Sequence, residues 1–215
     1  MKLLDRITRT KVLPEVQAHP GRRLTEREFV AWAGEKTRAE WVDGEVQIMP
    51  PVSDEHDQAV NWFTRILGLY VESKGLGVVK GPEFMVRLPR QARRRLPDVL
   101  FVSASRASVV RKTHAEGAPD LIVEIVSAES ASRDWRDKYF EYQKAGVREY
   151  WIIDRAGRRM EAYSLSTRAG YARIEEADGR IRSSVVKGFF VEPKWLLGDR
   201  LAPATTVLRE LGVKI

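Results

Sequence analysis

One stretch, Gly117–Ser127 (GAPDLIVEIVS), constrains the fold of this 215-residue chain more than any other. A Gly and a Pro punctuate its start. A short apolar run follows, Leu121, Ile122, Val123, Ile125 and Val126, interrupted by one acid, Glu124. A run of this length bounded by turn residues reads as a strand covered on both faces. A carboxylate inside such a strand is costly unless a metal ion, a positive partner or a proton compensates it. Function therefore turns on what compensates Glu124.

Around that strand, helical and extended patterns alternate. Residues 1–23 mix basic and apolar side chains with Pro14, Pro20 and Gly21 and read as a basic N-terminal extension. Leu24–Ala33 is predicted helical, with a Thr25/Glu28 capping box and an apolar stripe of Phe29 and Trp32. Asp43-Gly44 predicts a hairpin within Ala39–Met49, ended by Pro50-Pro51. Ser53 opens a long helix over about Asp54–Glu72, with acids at its positive end and Val60, Phe63, Ile66, Leu67 and Tyr70 as its core stripe. Val78–Lys80, Glu83–Leu88 and Val99–Val102 are predicted strands, and Ala104–Glu116 is polar and basic and reads as a short helix and a loop. After the central strand come a helix within Ser130–Gly146, with Trp135, Tyr139 and Tyr142 on one face, and a strand at Arg148–Asp154 paired with Arg158–Leu165. Tyr171–Glu176 and Ile181–Val186 are expected to form a further hairpin around Asp178-Gly179, and Thr205–Leu211 a short helix in a tail at 198–215. The expected fold class is α/β (α+β): a mixed β-sheet sandwiched by helices, in one domain over 24–197.

There is no cysteine, which excludes disulfide frameworks, thiolate metal sites and cysteine nucleophiles. No eighteen-residue apolar run is present, and the segment MKLLDRITRTKVLPEVQ lacks the apolar core of a signal peptide. A soluble cytoplasmic protein is the default expectation. A net charge of +7 fits a polyanionic partner such as nucleic acid, although such a balance more often serves solubility alone.

Two Pro-Asp pairs occur, Pro97-Asp98 and Pro119-Asp120. Asp120 and Glu124 lie on one strand, roughly 13 Å apart at about 3.3 Å per residue. One ion cannot bridge that gap, since Mg²⁺–oxygen distances are about 2.1 Å. Asp98 begins a different strand and can meet Glu124 across a ladder whose neighbours stand roughly 5 Å apart. Asp98 and Glu124 are therefore the expected pair, and Asp120 a turn residue. Two carboxylates, a nearby carbonyl and waters suit Mg²⁺ or Mn²⁺. A lysine two residues after Glu124 would share its face, but Val126 stands there. On the next helix Lys138 lies roughly 60° from Trp135, on the shoulder of the buried stripe, so it reaches inward, while Asp137 and Lys144 point away. Plainer roles stay open for each residue. Glu124 can be a protonated or Arg-paired core acid, Asp98 a turn residue, and Lys138 a surface partner of Asp134. His56 can be a solvated first-turn histidine, Glu40 a paired hairpin acid, and the run Arg90, Arg93, Arg94 and Arg95 a solvated loop.

Taken in order, LTEREFVAWA, AEWVDGEVQIMPPVSDEHDQAV, RRLPDVLFVS, GAPDLIVEIVS and DKYFEYQKAGVREYWIID resemble the Uma-type restriction endonucleases, a bacterial group within the PD-(D/E)xK nuclease-like superfamily. The resemblance covers about Leu24–Leu197. It implies a restriction-endonuclease-like core and a metal-dependent endonuclease that hydrolyses DNA phosphodiester bonds with Mg²⁺ or Mn²⁺. It implies Asp98 and Glu124 as metal ligands, with the carbonyl of Ile125 as a third. It implies that Lys138 takes over from the strand lysine replaced by Val126, with Glu40 and His56 as further catalytic candidates. On that reading Arg87, Arg90, Arg93, Arg94 and Arg95 grip the phosphates of duplex DNA in a salt-sensitive way. A homodimer would serve to cut both strands. The alternative is a non-catalytic nucleic-acid-binding or complex-forming protein on the same fold, with a decayed site.

Overall fold

The computed structural model describes residues 18–34, 37–126, 134–166 and 169–214, with only the backbone of Asp134 and Trp135. Helix α1 (Glu26–Ala33) starts at the Thr25/Glu28 capping box, both halves of which form. The hairpin follows as β1 (Ala39–Val42) and β2 (Glu45–Ile48), and its turn takes positive φ at Asp43 (50°) and Gly44 (92°), as a tight two-residue hairpin requires. Ser53 caps α2 (Asp54–Ser73) by accepting from the His56 N–H. Next come β3 (Gly77–Lys80), β4 (Met85–Leu88), β5 (Arg93–Arg95), β6 (Val99–Ser103), β7 (His114–Glu116) and β8 (Leu121–Val126). Helix α3 (Asp134–Ala145) leads into β9 (Glu149–Asp154), β10 (Arg159–Ser166) and β11 (Gly170–Arg173). Short β12 (Ile181–Arg182), β13 (Phe190–Val191), α4 (Lys194–Leu197) and α5 (Ala204–Glu210) follow.

The mixed α+β architecture forms as two large sheets rather than one. The first has the order β11-β10-β9-β8-β6-β3, with β8 and β9 parallel. The second runs β2-β1-β5-β4-β7, with β4 and β7 parallel. Strand β8 is interior to the first sheet, which explains its apolar run. Its odd residues Leu121, Val123 and Ile125 pack with Val60, Phe63, Ile66 and Leu67 of α2. Its even residue Ile122 belongs to a separate cluster with Val86 and Leu88 of β4 and Tyr142 of α3. Each such side chain contributes about 1.5–3 kcal/mol when fully buried. Helix α1 covers the outer face of the second sheet, where Phe29 and Ala33 meet Ala39, Trp41 and Val46.

Further expectations change. Part of the arginine run is a strand, β5, inserted between β1 and β4. The polar stretch 104–116 holds a strand, β7, as well as a 3₁₀ turn at Ala104–Val109. The Asp178-Gly179 turn forms, but its arms do not pair as a hairpin beyond an isolated bridge between Ala177 and Arg180. Instead β11 joins β10, and β12 joins β13. Tyr171 draws β11 inward: its ring stacks near Tyr150 and its hydroxyl donates to the Val147 carbonyl at 2.8 Å. The segment expected as a tail supplies Val207, Leu208 and Leu211 to the core beside α2. Of the expected extension at 1–23, residues 1–17 lie outside the described residues, as does the Trp135 side chain, while His19 Nε2 lies 2.9 Å from the Val46 carbonyl of β2.

Candidate active site

Strand register brings the two acids of the site together. β6 runs antiparallel to β8 with Val99 opposite Val123, so Asp98 stands opposite Glu124. Side chains alternate along strands, so both acids face the same side as Ile122, toward the second sheet and α3. Asp98 Oδ2 accepts from the Ile125 N–H at 2.7 Å, which locks the carboxylate against β8. Its Oδ1 lies 3.1 Å from Nε2 of His56, in the first turn of α2. Glu124 Oε1 accepts from Lys138 Nζ at 3.0 Å and from the Tyr142 hydroxyl at 2.9 Å, both on α3.

The second sheet supplies the opposite wall. β1 pairs with β5 with Trp41 opposite Arg94, so Glu40 stands opposite Arg95. Ala39 and Trp41 face α1, which turns Glu40 the other way, into the site. Glu40 Oε2 accepts from Arg95 Nη1 at 2.7 Å, its Oε1 accepts from the Leu96 N–H at 2.9 Å, and Lys138 Nζ lies 3.9 Å from Oε1. Arg95 also donates to both carboxylate oxygens of Glu141, at 2.9 and 2.7 Å. Glu40, Arg95, Asp98 and Glu124 are between 2% and 8% exposed. Charges this deep persist only when paired and hydrogen-bonded.

The two glutamates differ electrostatically. Burial alone would raise the pKa of Glu40, but the charges of Lys138 and Arg95 and the Leu96 N–H outweigh it and hold Glu40 below its ordinary value. Burial pushes Glu124 up; the attraction of Lys138 opposes this, and the negative charges of Asp98 and Glu40 add to it. Lys138 would be lowered by burial, yet Glu124 and Glu40 raise it, so its ammonium stays charged. The hydrogen bond to Asp98 raises His56 despite burial. Of these two glutamates Glu124 is thus the less compensated, and a further cation has more to offer there.

All five residues expected to act catalytically, Asp98, Glu124, Lys138, His56 and Glu40, line one cleft of about 1080 Å³, as does Ile125. Asp137 and Lys144, expected to point away, line it too, because the cleft follows a broad face of α3 beside the buried stripe. The five arginines separate. Arg87 pairs with Glu26 and Glu116, Arg94 with Glu26, Arg93 with Asp43 and Glu141, and Arg95 is buried in the network above. Arg90 is exposed on the cleft and has no ion pair among the described residues. Asp120 is fully buried away from the cleft, accepting from the Ser103 N–H, Arg106 and Arg148. Sequence reasoning missed Glu141 and the hydroxyl of Tyr142. Their signal was spacing: three and four residues after Lys138, both can share its side of the helix.

Among the described residues no three His, Asp or Glu side chains group at metal-binding spacing. Asp98 and Glu124 nevertheless offer an oxygen-donor pair, and Mg²⁺ commonly takes one or two carboxylates from protein and completes its shell with water and phosphate. The donor set fits such an ion.

Comparison with known proteins identifies a family and a shared fold. The family model Uma2, described as "Putative restriction endonuclease", matches residues 27–191. A crystal structure titled as that of a "putative nuclease" from Anabaena variabilis ATCC 29413 superposes with a TM-score of 0.67 at 17% identity, covering 81% of this chain and 97% of that one. At that identity the likeness is one of fold. No curated protein matches the chain. Among the described residues no helix is long and apolar enough to cross a membrane.

Proposed function

Because the chain belongs to the Uma2 family, we propose that it is a metal-dependent nuclease that hydrolyses DNA phosphodiester bonds in the cleft between its two sheets. The observation that carries this reading is the meeting of Asp98 and Glu124 across β6 and β8, with Lys138 seated 3.0 Å from Glu124. Asp98, Glu124 and the Ile125 carbonyl would hold a Mg²⁺ or Mn²⁺ ion, which when bound polarises a phosphate and lowers the pKa of a water. Lys138 keeps its charge at the floor of the cleft, where it can bind a phosphate oxygen and stabilise charge that develops there. It comes from the helix because Val126 leaves the strand position empty of a cation. Glu40, held ionised by Arg95, restrains Lys138 from the opposite wall. His56, with Nε2 on Asp98, orients that carboxylate and can hold a proton for a leaving oxygen.

The test is incubation of plasmid and oligonucleotide DNA with Mg²⁺ or Mn²⁺, for the wild type and for Asp98→Ala and Glu124→Ala. Cleavage by the wild type and none by either variant is expected. Intact DNA with a folded wild-type protein across both metals would refute the reading. One observation favours a second reading, a non-catalytic nucleic-acid-binding protein: Val126 stands two residues after Glu124, where a lysine would share its face of the strand. Calorimetric titration separates the two, since no Mn²⁺ binding together with salt-sensitive DNA binding supports the second.

A further inference from the structure

The walls of the cleft are unlike a surface made for a duplex backbone. Its lining carries as many Asp and Glu side chains as Lys and Arg, and Arg93, Arg95 and Lys138 are already engaged by carboxylates. Arg38 is half-buried and held by a 3.8 Å ion pair to Glu83, and only Arg90 and Lys144 stand exposed on the cleft without an ion pair among the described residues. Affinity for duplex DNA comes chiefly from neutralised phosphates, and this cleft has few charges left for that.

What the cleft presents instead is apolar. Six large apolar side chains are exposed among the described residues, and three of them, Ile48, Val52 and Phe140, line this cleft. Phe140 is the most open at 62%, on the helix that carries Lys138, while Ile48 and Val52 flank the Met49–Pro51 segment of the facing wall. Paired, stacked bases keep their faces inside the duplex and offer none to a side chain on a cleft wall. An unpaired base has a free π-face, and aromatic platforms are how single strands are bound with little dependence on sequence.

Resting on the nuclease reading above, we infer that the cleft takes a single-stranded or locally unpaired nucleic-acid segment, with Phe140 stacking on a base while the phosphates pass the carboxylates at the floor. Arg90 and Lys144 then meet only one or two phosphates. Binding should accordingly be weakly salt-dependent, with a slope of log K against log salt of about −0.7 to −1.4.

The test measures binding of labelled oligonucleotides by fluorescence anisotropy without metal and cleavage with Mn²⁺, for the wild type, Phe140→Ala and Phe140→Leu. The oligonucleotides are single-stranded, duplex, and single-stranded with an abasic position. The wild type should bind the single strand about tenfold or more tightly than the duplex. Phe140→Ala and the abasic substitution should each weaken binding by about tenfold, and combining them should add little, because both remove the same stack. Phe140→Leu keeps the apolar bulk without the π-face and should behave like Phe140→Ala. Phe140 is largely exposed, so all variants should keep the wild-type melting temperature. Cleavage of duplex with equal or greater efficiency, unchanged by Phe140→Ala, would overturn this inference and leave the nuclease reading intact. No binding or cleavage of any nucleic acid would overturn both.

Discussion

Replacing Arg95 by Met separates a structural clamp from a phosphate contact. The sequence places Arg95 in a basic run suited to gripping DNA, whereas in the structure its guanidinium donates to Glu141 at 2.9 and 2.7 Å and to Glu40 at 2.7 Å, and the residue is 6% exposed. Removing it leaves Glu40 with the Leu96 N–H and a lysine 3.9 Å away, and leaves Glu141 with Arg93 at 3.1 Å. Deleting one partner of a buried pair costs about 3–5 kcal/mol, because the remaining charge stays desolvated. Arg93 and Lys138 offset part of that, so the lower end, about 3 kcal/mol, is expected. For a chain of this size that is a drop in melting temperature of about 6–12 °C. The assay is thermal and urea unfolding of the wild type and Arg95→Met, with Arg90→Ala as the exposed control, which should stay within about 0.5 kcal/mol of the wild type. Combining Arg95→Met with Glu141→Leu should recover part of the loss, since an apolar replacement removes the orphaned carboxylate. A change below about 1 kcal/mol for Arg95→Met, accompanied by lost nucleic-acid binding, would refute the clamp and restore the phosphate contact.

Lys138→Met should lower the rate of metal-dependent cleavage by about 10²–10³-fold, and adding Val126→Lys should regain part of it, because residue 126 shares the Glu124 face of β8; a single-turnover rate unchanged by Lys138→Met would remove that residue from the chemistry. Burial would raise the Asp120 carboxyl, but the Ser103 N–H, Arg106 and Arg148 outweigh it and hold the group below its ordinary value. Its folded pKa therefore lies under the unfolded one, so its stabilisation is present above about pH 4 and is lost as pH falls through the folded value. In urea unfolding, the advantage of the wild type over Asp120→Asn should be level from about pH 8 to pH 5 and shrink toward pH 3; an advantage that grows on acidification would contradict the ion-pair account.

Much of the site was legible from residue types and order. Glu124 is conspicuous because an acid inside a two-sided apolar run has no cheap solution. Asp98 follows from ruling out Asp120 along the strand, and the observed ladder sets Asp98 opposite Glu124. Lys138 follows from helical angle once Val126 is seen to lack a charge. The arginines were not legible, because a basic run has the same appearance whether it faces solvent or lies in a strand. Only the partners Glu26, Glu40, Glu116 and Glu141, brought in from four other elements, show that most of it is internal. The Tyr171–Glu176 and Ile181–Val186 arms failed as a hairpin for a related reason. The turn is local, but strand partners are chosen by packing, and Tyr171 finds a better site beside β10.

For the stretch Gly117–Ser127, the sequence by itself determined a strand covered on both faces and an acid that has to be compensated, because periodicity and burial cost are properties of the local chain. The tertiary structure alone decided who does the compensating. Asp98 arrives by ladder register, Lys138 and Tyr142 by the seating of α3, and Glu40 by a second sheet whose existence no local pattern announces. The physical reason is range: a strand is set by interactions among neighbours in sequence, whereas the charge state of Glu124 is set by groups within a few ångströms that lie up to eighty-odd residues away along the chain.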